Sequence, residues 1–292
     1  PPPVPRTWTS INPAPRFLTV TEGVDYDAVF SPDGKRVLFN RSSNGRDWIF
    51  MTVPVTGGDA TPLLSAPLPV QPTRARWFKN GLIAFTGLAP DGTASVWLIN
   101  EDGSNARAVT APGLSKQIFY PSWYPDGQHL AVMDGAELAT KRIALDGSAP
   151  AQSLTDRSKV FTGMPSVSPD GKWFVFAGQE NKGQPYDQTK NIIWLAGEGG
   201  VLRPLEAQPQ MGRAPTWAPD GKRVTFESDR GSPDGRYAAF IANMDGSGLV
   251  QVSDYALNAQ HPVISPDGRQ MLFTGMDPRT NRMGIAIIDL PQ

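Results

Sequence analysis

Apolar positions in this chain come in short runs, each bounded by Gly, Pro, Asn or Asp. "RVLF" (36-39), "LIAF" (82-85), "HLAV" (129-132), "WFVF" (173-176), "RVTF" (223-226) and "QMLF" (270-273) each follow a four-residue punctuation mark. Runs of this length with such borders predict strands, and no segment needs a helix of any length. The punctuation reads "SPDG" at 31-34, 168-171, 232-235 and 265-268, "YPDG" at 124-127, and "APDG" at 89-92 and 218-221. Proline presets φ for the turn, aspartate bonds its own backbone two residues on, and glycine accepts φ > 0.

Stacking the segments around these turns exposes a repeat. "DAVFSPDGKRVLF" (27-39), "RARWFKNGLIAF" (74-85), "YPSWYPDGQHLAV" (120-132), "MPSVSPDGKWFVF" (164-176), "APTWAPDGKRVTF" (214-226) and "HPVISPDGRQMLF" (261-273) align. The turn Asp, or Asn80 in its place, falls at 33, 80, 126, 170, 220 and 267, at intervals of 47, 46, 44, 50 and 47 residues. That period with strand-rich content predicts a β-propeller. The copies at 89-92 and 232-235 lie outside this register, in later loops of blades two and five. Each unit holds four strands, but only five outer strands follow their blades. "PRFLTV" (15-20) has the outer-strand pattern and precedes the first inner strand, so it is expected to close the ring and remove an open edge. The expectation is an all-β, six-bladed propeller of four-stranded antiparallel blades over 15-292, preceded by a proline-rich arm over 1-14.

Net charge −1 without a basic block argues against nucleic acid as a partner. No apolar run approaches the ~20 residues that cross a bilayer, so no membrane span is expected. With no cysteine, disulfides and thiolate sites are excluded. Proline at position 1 suggests that a leader or upstream segment was removed, and the closed ring is expected to be a monomer.

The unit P-x-W-x-P-D-G-x-x-[hydrophobic]-x-F resembles the PD40, or WD40-like, repeat of the TolB-type β-propellers. "PTWAPDGKRVTFESDRG" (215-231) followed by "IANMDGSGLVQVS" (241-253) matches best, and the resemblance covers 15-292. TolB itself carries an additional N-terminal α/β domain, and propeller lids of prolyl-oligopeptidase-type peptidases accompany an α/β-hydrolase domain. The repeats fill 15-292, so neither additional domain is expected within these 292 residues. The resemblance implies the fold and leaves the site to be argued from residues.

In a propeller the loops entering each inner strand gather round one channel mouth, opposite the PDG turns. Three positions before the end of each inner strand stand Asp27, Arg74, Tyr120, Met164, Ala214 and His261, preceded by Tyr26, Thr73, Phe119, Gly163, Arg213 and Gln260. These positions change in kind from blade to blade while the scaffold repeats. Asp27, Arg74, Tyr120, Arg213, His261, Tyr26 and Gln260 are therefore the expected ligand-binding residues, a mixture of aromatic anchors and fork-like arginine donors. The long polar loops at 40-47, 177-190, 227-236 and 274-282 reach the same face.

No G-x-S-x-G elbow occurs, His129 directly follows a turn, and the turn aspartates each belong to a different blade. No catalytic residue, metal or cofactor is therefore assigned. The expected function is a periplasmic or secreted binding module that docks a protein or peptide at the mouth, with carbohydrate as another ligand class. The alternative is a lyase or hydrolase acting on a carbohydrate or other small substrate at the same mouth, using Asp27, Arg74, Arg213, Tyr120 and His261.

Overall fold

The computed structural model describes residues 8-291. Six sheets, five of four strands and one of five, form the blades of a propeller. The inner strands are Val24–Phe30, Gln71–Trp77, Ile118–Trp123, Val160–Val167, Arg213–Trp217 and Gln260–Ile264. Each pairs antiparallel with the strand that follows its PDG-type turn. Arg16–Val20 pairs antiparallel with Arg282–Asp289 as the outer strand of the sixth blade, which closes the ring as the repeat predicts. Among the described residues only three short 3-10 turns depart from strand and loop.

The turns form as their chemistry dictates. Gly34, Gly81, Gly127, Gly171, Gly221 and Gly268 each donate a backbone N–H to the residue three back, at 2.9–3.1 Å. Asp33 Oδ1 accepts the Lys35 N–H at 3.1 Å, and Asp170, Asp220 and Asp267 do the same for Lys172, Lys222 and Arg269. The side chain is used up inside its own turn, so these aspartates are scaffold.

The core lies between blades. Phe39, Phe85, Phe176, Phe226 and Phe273, the last residues of the aligned second-strand runs, are all fully buried. Each packs into an apolar cluster shared with a neighbouring blade. Indole N–H groups tie blades further: Trp123 donates to Arg76 O at 2.8 Å and Trp217 to Ser166 O at 3.0 Å.

The proline-rich segment holds a feature the repeat does not foretell. Thr9–Ser10 runs parallel to Val250–Gln251 and adds a fifth strand to blade five. Trp8 meets Phe240 edge to face at 5.9 Å and donates to Gln251 Oε1 at 3.1 Å. Residues 1-7 of the expected arm lie outside the described residues.

Candidate ligand site at the channel mouth

One local device repeats in every inner strand. Register shifts fall between Tyr26 and Val29, Thr73 and Arg76, Phe119 and Ser122, Gly163 and Ser166, Arg213 and Thr216, and Gln260 and Val263. At each bulge one residue adopts left-handed backbone: Asp27, Arg74, Tyr120, Met164, Ala214 and His261, with φ between 46° and 56°. That region costs a non-glycine residue about 1–2 kcal/mol. A bulge re-aims a side chain at a barrel or channel rim, and here it acts on the positions that vary from blade to blade.

The structure brings all seven expected residues together. Arg74 lies at the centre. Its Nη1 is 3.6 Å from Asp27 Oδ1 and donates to His261 Nε2. Its guanidinium sits over the Tyr26 ring at 5.5 Å and the Tyr120 ring at 5.1 Å. Tyr26 donates its hydroxyl to Gln260 Oε1 at 3.1 Å and meets the His261 ring edge to face at 4.8 Å. Arg213 joins through a residue the sequence reading passed over: its Nε is 3.5 Å from Glu227 Oε1, and Glu227 Oε2 accepts the His261 backbone N–H at 2.7 Å.

Glu227 belongs to a second ring of channel positions. It directly follows the buried Phe226 of its second strand, and the equivalent positions are Asn40, Thr86, Met133, Ala177 and Thr274. Thr86 and Thr274 accept the backbone N–H groups of Tyr120 and Asp27, at 3.1 and 2.9 Å. A position that is polar in four of six copies, inside an otherwise apolar run, is the signal that would have found it. Trp48 and Tyr237 were also missed. They lie on or beside the second-to-third-strand loops, which carry no repeat register.

Burial sets the electrostatics. The Glu227 carboxyl is fully buried, which raises its pKa despite Arg213. Burial, followed by Arg74, Arg213 and Arg76, holds His261 well below its ordinary 6.5, so the ring is neutral. An arginine only donates, so His261 Nε2 must accept and Nδ1 carries the proton. Burial works against the Arg74 charge, but Asp27, Tyr120, Tyr26 and Glu227 outweigh it and raise its pKa. Burial also pushes the Tyr26 phenol up to about 12.

The cluster leaves several groups unused. Among the described residues, Asp27 Oδ2 and His261 Nδ1 are buried without a hydrogen-bond partner, Glu227 Oε1 has only its ion contact with Arg213, and the Arg76 side chain donates only to the Ala75 carbonyl. Such groups are rare in folded proteins. Among the described residues no three His, Asp or Glu side chains are placed to hold a metal ion.

With fold and mouth described, comparison with known proteins defines the class. The family model described as the TolB beta propeller domain matches residues 93–292, and the chain belongs to that family. An uncharacterized protein of Agrobacterium fabrum is 26% identical over 175 residues, covering 57% of this chain and 56% of its own. The chain spans 29% to 56% of the length of curated relatives it matches. Among solved structures, a putative TolB from Agrobacterium tumefaciens superposes with TM-score 0.69 at 18% identity, over 95% of this chain and 94% of that one. An oligogalacturonate lyase in complex with manganese superposes with TM-score 0.60 at 15% identity, over 94% and 79%. At such identities the likeness establishes the fold alone.

Proposed function

We propose that this chain is a non-catalytic binding module that docks a protein or peptide at the channel mouth, in the periplasm or after secretion. One observation carries the reading. The mouth has one histidine, and the single lone pair of its neutral ring is occupied by the Arg74 guanidinium. An imidazole in that state cannot take a proton until the arginine leaves. What the mouth offers instead is recognition: the guanidinium groups of Arg74 and Arg213 beside the rings of Tyr26, Tyr120 and Tyr237. A putative TolB among the structural neighbours is consistent with a docking role.

A peptide selected from a displayed random library supplies the test. Arg74→Ala with Arg213→Ala should weaken its binding at least tenfold while the fold survives, since losing a buried charged partner costs about 2–5 kcal/mol. Lys172→Glu with Lys222→Glu, on the PDG face, is the control. If the control loses binding and the arginine variant keeps it, the ligand sits on the opposite face.

The second reading, an enzyme acting on a carbohydrate at the same mouth, draws on Asp27 and Glu227, two carboxyls near enough for Asp27 to help raise the pKa of Glu227. A carboxyl with a raised pKa near a second carboxyl suits acid–base work, and an oligogalacturonate lyase is a structural neighbour. Turnover of an oligosaccharide that collapses in Glu227→Gln while affinity persists would establish the enzyme and overturn the binding module.

A further inference from the structure

The charges of the mouth cluster do not balance. Arg74 faces Asp27 at 3.6 Å and Arg213 faces Glu227 at 3.5 Å, two cations against two carboxyls. Arg76 is a third cation. Its side chain bonds only the carbonyl of its neighbour Ala75, at 2.7 Å, and among the described residues it enters no ion pair.

The repeat marks this arginine as an addition. The position one before the end of each inner strand holds Val29, Ser122, Ser166, Thr216 and Val263 in the other five blades. Side chains there serve the scaffold. Ser122 accepts the Val167 N–H at 2.9 Å, Thr216 donates to the Pro262 carbonyl at 2.8 Å, and Val29 packs in the apolar cluster shared by blades one and two. Arg76 instead interacts electrostatically with Arg74, with Tyr120 of blade three and with His261 of blade six, so its guanidinium lies in the channel. Burial works against its charge, and Asp27, already engaged by Arg74, offsets only part of that. A cation held in this way is costly without a counter-charge of its own.

Exposure decides what a ligand meets. Asp27 and Glu227 are 2% and 0% exposed, whereas the side chains of Arg74 and Arg213 are 16% and 23% exposed and Arg76 is half-buried. The carboxyls are covered and the guanidinium groups are not, so the reachable surface of the cluster is cationic. Among the described residues, the buried side-chain atoms left without a partner include no nitrogen of these three arginines, so their free N–H groups open on the channel. The excess is one positive charge, and the complementary ligand carries one negative charge. A carboxylate has that charge and two oxygens spaced for the paired N–H groups of a guanidinium. A phosphate or sulfate dianion would bring a second charge toward Asp27 and Glu227, and a neutral amide would leave the cation unpaired.

We propose that Arg76 is a carboxylate subsite in the channel mouth, with Arg74 and Arg213 facing the same guest. The carboxylate belongs to a docked peptide, as an acidic side chain or as its C-terminus. The proposal rests on the reading of the mouth as a peptide-docking site and adds the group it selects.

Saturation-transfer NMR on the whole chain supplies the test. Its probes are N-acetyl-alanine, N-acetyl-glutamate methylamide, N-acetyl-glutamine methylamide and N-acetyl-lysine methylamide. The first presents an α-carboxylate and the second a side-chain carboxylate, so the stronger of the two identifies the source. That probe should receive at least about fivefold more saturation than the glutamine or lysine probe. Arg76→Thr gives blade two the residue that blade five holds there, removes the cation and should cut the carboxylate signal at least about fivefold. Arg76→Lys keeps the charge without the fork, should reduce the signal by about half or more, and keeps the test open if the threonine variant fails to fold. A glutamine or lysine probe that matches the stronger carboxylate probe overturns the proposal, as does a carboxylate signal undiminished in a folded Arg76 variant. If the subsite alone fails, the selected peptide still loses binding in the Arg74→Ala, Arg213→Ala pair and keeps it in Arg76→Thr. If the docking reading fails, that pair keeps the peptide while the carboxylate probe still responds to Arg76.

Discussion

His261 links the mouth to pH. Its neutral ring is buried against Arg74, with Arg76, Arg213, Asp27, Glu227 and Tyr26 acting on the same cluster. In the unfolded chain the ring protonates near 6.5, while in the folded chain burial and three arginines hold its pKa well below that. The unfolded state therefore takes up the proton first. Stability from this residue is full above 6.5 and is lost as pH falls toward the folded value. Between pH 7 and pH 5 the loss is at most about 2 kcal/mol, the ~1.5 units below 6.5 at about 1.4 kcal/mol each, and reaches that bound where the folded ring stays neutral throughout. Glu227 opposes it, because its raised pKa makes stability fall as pH rises from 4.5 upward. The turn aspartates act lower, beneath 3.8. Comparison with His261→Gln isolates the histidine, since glutamine keeps an acceptor for Arg74 and the backbone N–H to Glu227. Urea unfolding at a series of pH values should show the wild type losing more stability than the variant over this range, by up to about 2 kcal/mol. Equal slopes for both proteins would refute the burial argument, as would a ring that NMR shows titrating near 6.5 in the folded protein.

Two further predictions concern the scaffold. Removing residues 1-20 deletes the strand that closes blade six and the Trp8 contact with Phe240, so the product should self-associate or melt well below the parent. Light scattering and calorimetry check this, and a monomer with unchanged melting would refute the closure. At Gly268, φ is 77° and an added Cβ meets nothing within 4 Å, so backbone conformation alone decides the outcome. Gly268→Asn should be tolerated while Gly268→Val destabilises by at least about 1 kcal/mol more, read by thermal unfolding.

Much of this architecture was legible in the chain because it depends on local chemistry repeated at a steady interval. Pro-Asp-Gly specifies its turn without help from distant residues, and the apolar run after each turn marks a buried strand. The blade count and the closing strand follow from counting copies, since "PRFLTV" is the outer strand left without a blade of its own. Alignment of the copies also pointed to the rim, because scaffold positions repeat while the rim positions change in kind. Pairing across the channel lay beyond that reach. Arg74 and His261 stand 187 residues apart, and Tyr26 and Gln260 stand 234 apart, so only ring closure brings them into contact. The left-handed bulge at each rim residue is a backbone state that no residue type there advertises. Glu227 and Asn40 stand just after the apolar run of their strands, where only comparison of that position across the six copies marks them. Tertiary structure turns those two positions inward, and burial then raises the pKa of Glu227.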